Sequence, residues 1–200
     1  MTTDLVVTDP PYSIQSKSDG KGKLSPWPDQ VNASMFYAFW LGQCRRIIKS
    51  SGAVWSFLSW RTFPIFAKAS ADLRWPMESV LVWDKGGLGP GGRRGLRPTY
   101  ELVALWAGPD FVIRNRSLPD IKRCPWMSLK RHHPAEKPVA LLRHIIEISG
   151  GESVLDPFCG SGSVGVACAE LNRSFIGIEM DSSYCRIARA RIAAVRRESS

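Results

Sequence analysis

Features that would assign this sequence to several other classes of protein are absent. No apolar run approaches membrane-spanning length, and the start Met-Thr-Thr-Asp does not resemble a signal peptide. The five cysteines form no C-x-x-C pair and have no regular spacing, so neither a zinc site nor a disulfide framework is indicated. We therefore expect a cytoplasmic protein with reduced thiols, no metal ion and no membrane partner.

The chain has fewer acidic than basic residues. It contains 18 Asp and Glu and 27 Lys and Arg, which gives a formal net charge of +9. A basic surface raises the affinity for any polyanion by releasing counterions, without reading a base sequence. The chain also has eight tryptophans. We expect most of them in the core, although an exposed indole can stack on bases. Charge and tryptophan content together favour a nucleic acid as partner over the alternative of a protein that is merely basic.

The 200 residues suit one compact α/β domain spanning 1–200. The hydrophobic pattern alternates between strands and helices and shows no internal repeat. A helix is predicted after the capping residue Asn32, with Met35, Phe39 and Ile47 among its apolar positions. The other predicted helices cover 62–74, 138–148, 163–171 and 182–197, and the predicted strands cover 4–8, 53–58, 79–83, 101–106, 153–156 and 174–179.

Three polar and basic stretches, 13–30, 86–98 and 108–132, are predicted to be mobile loops that contact nucleic acid. The second of them contains a glycine-rich run, 86–95, with two arginines, which suits phosphates better than base edges. The alternative for this stretch is a disordered hairpin tip.

The most informative short segment is Asp9-Pro10-Pro11-Tyr12, which follows an apolar run. The two prolines have no backbone N–H to donate, so the carbonyls of Asp9 and Pro10 are left to face another group. Tyr12 adds a flat surface for stacking. The corner therefore suits a flat ring that carries an amino group, with oxygens to accept its N–H bonds.

A second segment follows the strand predicted at 153–156. A tight turn with Gly160 and Gly162 between strand and helix lets a ligand approach the backbone and meet the helix N-terminus. The third glycine of a full dinucleotide fingerprint is missing. Glu179, at the end of the next strand, can accept hydrogen bonds from both ribose hydroxyls of a nucleoside. The alternative is a pair of turn glycines and a surface carboxylate.

The two segments together resemble the β class of DNA amino-methyltransferases, which move a methyl group from S-adenosylmethionine (SAM) to an exocyclic nitrogen of adenine or cytosine. The resemblance covers nearly the whole chain. It implies that SAM is the cofactor and that Glu179 binds its ribose. The other implied SAM-binding residues are Asp156, Phe158, Gly160, Ser161 and Gly162, and the implied catalytic residues are Asp9, Pro10, Pro11 and Tyr12.

Two further segments resemble family motifs. His133-Pro134-Ala135-Glu136-Lys137-Pro138 is similar to the H-P-x-x-K-P segment, which implies that Lys137 lies near the methionine end of SAM. Its alternative is a charged helix entry. Trp83-Asp84-Lys85 is similar to a W-x-K element near the target base, and its alternative is a core tryptophan beside a solvated lysine.

The resemblance also implies the fold: a circularly permuted, Rossmann-like methyltransferase with a mostly parallel sheet and an antiparallel hairpin. We expect the strand order 174–179, 153–156, 4–8, 53–58, 101–106, 79–83, with the last strand antiparallel. Contacts between 4–8 and 153–156 would test this order.

The sequence departs from the family by lacking a Gly-Asp element before the catalytic strand and a long target recognition segment. The first departure implies weak SAM binding, or a pocket completed by a second copy or a partner subunit. The second implies short or relaxed sequence recognition.

The implied reaction needs the target base flipped out or already unpaired. Tyr12 would stack on the base while Asp9 and the Pro10 carbonyl accept the amine hydrogens. Aspartate at the first position favours adenine N6, since many cytosine-N4 members have serine there. Two alternatives remain open: methylation of RNA or of a protein amide, and a non-catalytic, nucleic-acid-binding subunit. The protein would be bacterial, archaeal or encoded by a phage.

Overall fold

The computed structural model describes residues 2–11, 30–89, 95–126 and 136–198. Within these ranges the chain forms seven strands and five helices. The strands are β1 (Thr3–Thr8), β2 (Ile48–Leu58), β3 (Ser79–Asp84), β4 (Tyr100–Ala107), β5 (Ile121–Arg123), β6 (Ser153–Asp156) and β7 (Ser174–Gly177). The helices are α1 (Gln30–Ile47), α2 (Phe63–Asp72), α3 (Val139–Ser149), α4 (Ser163–Glu170) and α5 (Ser182–Glu198).

All seven strands belong to one sheet, in the order β5-β3-β4-β2-β1-β6-β7. The predicted order of six strands is therefore confirmed, including the parallel pairing of β1 with β6. The prediction placed the reversed strand at β3, and this was wrong. It is β4 that runs against the sheet, because it pairs antiparallel with both β2 and β3.

Successive side chains of each strand point to opposite faces of the sheet, so the core is divided into two clusters, one on each face. In β2, Trp55 and Phe57 belong to one cluster, while Val54 and Leu58 belong to the other. The first cluster packs beneath α3 and α4, and the second beneath α1 and α2. Helices therefore cover both faces, as expected for a largely parallel sheet.

The tryptophans are mostly core residues, as expected, and several of their indole N–H groups donate hydrogen bonds there. Trp55 donates to the hydroxyl of Ser149 in α3 at 2.8 Å. On the opposite face, Trp106 donates to the hydroxyl of Ser70 in α2 at 2.7 Å. Each bond satisfies a polar group that would otherwise be costly to bury, and each ties a helix to the sheet.

Several predicted details need correction. Asn32 lies inside α1 and does not precede it, because the helix begins at Gln30. Met35 and Phe39 are largely exposed, since the buried side of α1 is formed by Tyr37, Leu41 and their neighbours. Strand β7 ends at Gly177, two residues earlier than predicted.

The predicted loops are only partly covered by the structure. Segment 108–132 is not entirely a loop, because it contains β5, which extends the sheet parallel to β3. Residues 12–29, 90–94 and 127–135 lie outside the described residues, and with them most of the first predicted loop and the two arginines of the glycine-rich run 86–95. None of the described helices is long and apolar enough to cross a membrane.

The connections of the sheet reverse direction between β1 and β6. Helix α1 leads from β1 to β2 against one face, and α4 leads from β6 to β7 against the other. Ligands collect at such a switch point, outside the carboxyl ends of the strands. A ligand site is therefore expected at the residues that follow β1 and β6.

Asp4 fastens the start of the chain to its last third at the opposite end of these strands. Its Oδ2 accepts hydrogen bonds from the backbone N–H of Ser153 at 2.9 Å and from the hydroxyl of Ser153 at 2.8 Å. Lys49 Nζ lies 2.6 Å from the other carboxylate oxygen. Burial opposes ionisation, but the bonds to Lys49 and Ser153 prevail and lower the pKa of Asp4 from 3.8 to about 2.

We expect Asp4→Asn to lower the free energy of unfolding at pH 7 by about 1–2 kcal/mol. Because the folded-state pKa is depressed, Asp4 stabilises the fold above pH 4, and that contribution is lost as the pH falls through about 2. Urea titrations at several pH values should therefore show wild type and variant converging in acid. Asp72→Asn, which removes an exposed partner of Lys68, is the charge-matched control and should change stability little. Equal effects of both substitutions would contradict the role of Asp4.

Candidate active site

A cleft of about 490 Å³ opens at the carboxyl ends of β1 and β6. It combines segments that lie about 150 residues apart in the sequence. The predicted site residues that line it are Asp9, Pro10, Pro11, Lys137, Asp156, Phe158, Gly160, Ser161 and Glu179. Thr8, Phe57, Glu136 and Val164 are among the other lining residues. The two halves of the predicted site therefore form one cavity, of a size usual for small-molecule ligands.

Asp9 follows the last residue of β1 and presents a carboxylate at the cleft wall. Lys137 Nζ lies 2.8 Å from Asp9 Oδ2, while Oδ1 is buried and has no hydrogen-bond partner among the described residues. Burial raises the pKa of Asp9, and the neighbouring Lys137 only partly offsets this. A buried acceptor without a partner is costly, and it marks Oδ1 as the atom through which a ligand donor would bind.

The prolines hold the corner in place. The Pro11 carbonyl accepts a hydrogen bond of 2.8 Å from the Tyr37 hydroxyl in α1. This bond ties the corner to a helix on the face of the sheet opposite to α3. Pro10 is buried. Tyr12, predicted to stack on a flat ring, lies outside the described residues.

Asp156 ends β6 and supports the turn that follows it. Its Oδ1 accepts hydrogen bonds from the Thr8 hydroxyl at 2.6 Å and from the Phe158 backbone N–H at 3.0 Å. Burial nevertheless raises the pKa of Asp156 to about 7, and the charges of Asp9 and Glu179 add to the shift. Thr8 and Asp156 thus join the two halves of the site through side chains as well as through backbone pairing.

The glycine turn adopts backbone conformations that favour glycine. Gly160 has φ +51° and Gly162 has φ +84°, both in the left-handed region. A Cβ on Gly162 would lie 2.7 Å from the Cβ of Ala188 in α5. Gly162 does not line the cleft. It caps α4 and lets α5 pack closely, so its role here is in the packing of the turn.

Glu179 reaches the cleft but already accepts several backbone hydrogen bonds. Its Oε2 accepts from Gly160 N–H at 2.8 Å, and its Oε1 accepts from the N–H groups of Met180 and Asp181 at 2.8 and 2.9 Å. A carboxylate offers about four lone-pair sites, so one remains for a ligand hydroxyl. Glu179 links the glycine turn to the segment that leads into α5.

Lys137 precedes α3 and lies between two carboxylates. In addition to Asp9, Glu101 in β4 holds its ammonium, with Oε2 at 3.1 Å. Lys85 Nζ contacts the other oxygen of Glu101 at 2.6 Å. In the W-x-K element, Trp83 is a core residue, but Lys85 is buried rather than solvated.

Two functional candidates, Glu101 and Arg191, do not follow from the sequence reasoning. Glu101 was taken only as a strand residue, although a carboxylate at the start of an apolar strand is a usable signal. Arg191 in α5 bridges Glu136, at 2.6 Å, and the carbonyl of Ser161, at 2.8 Å. No local pattern predicts this bridge, because its partners are 55 and 30 residues away.

The side chains of the cleft fit a cationic, partly apolar nucleoside. Four carboxylates line it, those of Asp9, Glu136, Asp156 and Glu179, against the single ammonium of Lys137 among the described residues. Phe57, Leu142, Val164 and Phe158 supply apolar and aromatic surface. SAM carries a sulfonium, an ammonium and one carboxylate besides its adenosine, so the residues present are compatible with it.

The chain is similar to known proteins over most of its length. The family model for N6/N4 methyltransferases, described as DNA methylase, matches residues 3–190. The chain is 31% identical over 201 residues to YubD of Escherichia coli (strain K12), covering 97% of this chain and 83% of that protein. It is 28% identical over 219 residues to the type II methyltransferase M.HpaI of Haemophilus parainfluenzae, covering 94% of this chain and 68% of that one. The chain belongs to the SAM-dependent DNA amino-methyltransferase family.

Solved structures share the fold. The M1.HpyAVI–SAM complex superposes with a TM-score of 0.70 at 26% identity, covering 96% of this chain and 89% of that chain. The cytosine-N4-specific PvuII DNA methyltransferase gives a TM-score of 0.76 at 14% identity, covering 98% and 85%. The expected Rossmann-like methyltransferase fold with an antiparallel hairpin is confirmed.

The raised pKa of Asp156 predicts a pH dependence of stability. Because the folded-state pKa, about 7, lies above the ordinary value of 3.8, folding takes up a proton between those values. The free energy of unfolding should therefore fall as the pH rises from about 4 to 7. The Asp156→Asn variant has no carboxyl group to titrate here. Between pH 4 and pH 8 its free energy of unfolding should therefore rise by up to about 4 kcal/mol relative to that of wild type. Urea unfolding across this range measures it, and parallel pH profiles of the two proteins would contradict the assignment.

Proposed function

We propose that this protein transfers the methyl group of SAM to the N6 amino group of adenine in DNA, with short or relaxed sequence recognition. One observation carries the proposal. The Asp9 carboxylate, with Oδ1 unpartnered among the described residues, lies in the same cleft as the glycine turn and Glu179. A nucleoside cofactor and an amino group can therefore be bound side by side.

The cofactor would be held by the glycine-turn half of the cleft. We assign Glu179 to the ribose, since it keeps a lone-pair site beyond its backbone bonds. Asp156, Phe158, Gly160 and Ser161 would form the rest of the pocket, with Gly162 shaping the turn behind them. Glu136, which Arg191 bridges, lines the pocket as well. Lys137 lies at the cleft, but its ammonium contacts Asp9 and Glu101, so its assignment to the cofactor is weaker than that of the glycine turn.

The catalytic half would work by accepting hydrogen bonds. When bound, SAM would supply an electrophilic methyl group, whose bond to sulfur breaks as the bond to the amine nitrogen forms, and the amine then releases one proton. Asp9 Oδ1 and the Pro10 carbonyl would accept the two amine hydrogens, which orients the nitrogen lone pair and stabilises the positive charge that develops on nitrogen. Positioning of the amine for in-line attack supplies most of the remaining rate enhancement. An adenine in a duplex must first be flipped out of the stack, and Tyr12 is proposed to stack on it.

The preference for adenine rests on Asp9 itself, because many cytosine-N4 members of the family carry serine at this corner. The cleft alone does not distinguish the bases, since both present an exocyclic amino group. DNA contact is assigned to the basic loops and to arginines on the exposed side of α5, such as Arg186 and Arg189.

Incubation with methyl-labelled SAM and unmethylated duplex DNA tests the function directly. Digestion and mass spectrometry of the nucleosides should show labelled N6-methyladenine. Labelled N4-methylcytosine would confirm a DNA methyltransferase but overturn the choice of base. Parallel incubations with RNA and with protein substrates cover the alternatives, and label only in one of those would overturn DNA as substrate.

We expect Asp9→Ala to abolish methyl transfer while sparing SAM binding. The substitution removes the acceptor of the amine hydrogen but leaves the glycine turn and Glu179 intact, so kcat should fall by at least about 10²-fold. Label transfer and calorimetric SAM titration measure the two effects separately. Asp72→Ala, on the exposed side of α2 and outside the cleft, is the control and should match wild type.

Retained turnover in Asp9→Ala would overturn the catalytic assignment. Loss of SAM binding with an intact fold would instead move Asp9 to the cofactor half of the site.

A further inference from the structure

Four charged side chains form a continuous row that runs from the cleft into the protein. Lys85 Nζ lies 2.6 Å from Glu101 Oε1, and Lys137 Nζ lies 3.1 Å from Glu101 Oε2. Lys137 Nζ also lies 2.8 Å from Asp9 Oδ2. The charges alternate in sign and sum to zero. Each residue comes from a different part of the fold: the ends of β1 and β3, the start of β4, and the segment before α3.

The row is held away from solvent. The exposed fractions of the side chains are 7% for Lys85, 17% for Glu101, 9% for Lys137 and 21% for Asp9. Aromatic rings flank both ammonium groups: Lys85 Nζ lies 4.5 Å from the ring centre of Trp126, and Lys137 Nζ lies 5.0 Å from that of Phe57. Buried ion pairs stabilise a fold poorly compared with apolar packing. Stability alone therefore does not explain a row of four buried charges.

The contact between Glu101 and Lys137 differs from the other two. Glu101 Oε2 has no hydrogen-bond partner of good geometry among the described residues, although Lys137 Nζ is close. At 3.1 Å this contact is the longest of the three. Lys137 is therefore shared between two carboxylates, of which Asp9 is the nearer.

We propose that Glu101, supported by Lys85, is a positioning residue for methyl transfer: by sharing Lys137, it keeps Asp9 engaged through Oδ2 only and leaves Oδ1 open to accept the amine. This inference rests on the proposed role of Asp9. Without Glu101, Lys137 would act more strongly on Asp9, which would weaken Asp9 as an acceptor.

The pKa shifts of Glu101 and Asp9 also support this role of Glu101. Burial raises the pKa of Glu101, but Lys137 and Lys85 together lower it below its usual value, so Glu101 is ionised. Burial and the charge of Glu101 raise the pKa of Asp9, whereas Lys137 and Lys85 lower it. The pKa of Asp9 is raised as a result of all these effects. The charged groups at Asp9 are thus Lys137, Glu101 and Lys85, with Asp156 on the neighbouring strand.

Two substitutions should move Asp9 in opposite directions. Glu101→Gln removes a negative charge and commits Lys137 to Asp9, so the pKa of Asp9 should fall. Lys85→Met removes a positive charge and lets Glu101 attract Lys137, so the pKa of Asp9 should rise. Carboxyl ¹³C NMR titration of the full chain, with Asp9 assigned through Asp9→Asn, measures both shifts without requiring activity. Glu147→Gln, which removes an exposed partner of Arg143 on α3, is the charge-matched control and should leave Asp9 unchanged.

Kinetics supply the second readout. In Glu101→Gln, kcat should fall about tenfold or more, with the dissociation constant for SAM unchanged and the acid limb of the pH–rate profile displaced to lower pH. In Lys85→Met the acid limb should move to higher pH. If Glu101→Gln does not fold, the double variant Lys85→Met/Glu101→Gln removes both charges and should still lower the pKa of Asp9.

Shifts of the same sign in both single variants, or no shift in either, would overturn the inference. An unchanged kcat in Glu101→Gln would do the same. If wild type transfers no methyl group to any substrate, the proposed function fails, while the opposed NMR shifts still decide how Asp9 is controlled.

Discussion

The parallel pairing of β1 with β6 is the constraint on which the site depends. It places Leu5 opposite Val154 and Val6 opposite Leu155, so the residues after both strands emerge side by side. Asp9 and Asp156 then face one cleft, joined by the bond from the Thr8 hydroxyl to Asp156. Because β1 and β6 lie about 150 residues apart in the sequence, this pairing joins distant segments of the chain into one site.

Bringing two acids together in a buried place has a cost, and the structure shows how it is met. Burial raises the pKa of both Asp9 and Asp156. Asp156 is supported by local donors, whereas Asp9 depends on an ammonium shared with Glu101. Perturbed acids in a cleft are a usual mark of a functional site. A SAM sulfonium would relieve the excess of negative charge, so cofactor binding and the ionisation of the cleft are linked.

Much of the fold could be predicted from the sequence because its central strands are apolar and its turns carry glycine and proline. The runs ending at Asp9 and Asp156 identified the two motifs, and the family resemblance placed them together. Strand β5 was missed because its three residues are mostly polar and lie at the edge of the sheet, where pairing requires no apolar pattern. The exposure of Met35 and Phe39 could not be foreseen, since spacing does not show which side of an apolar helix faces the sheet. Glu101 was missed because its partners lie 16 and 36 residues away, and only tertiary packing brings them together.

Methyl transfer at this site requires that the cofactor and the catalytic corner share one cleft. The most direct test is residue-resolved ¹H–¹⁵N NMR of the protein titrated with S-adenosylhomocysteine, the demethylated product of SAM. Backbone amides at Thr8 and Asp9 should shift together with those of Phe158, Gly160 and Met180, while those of α2 should not. Shifts confined to the glycine turn, with Thr8 and Asp9 unmoved, or shifts in α2 alone, would contradict the shared cleft.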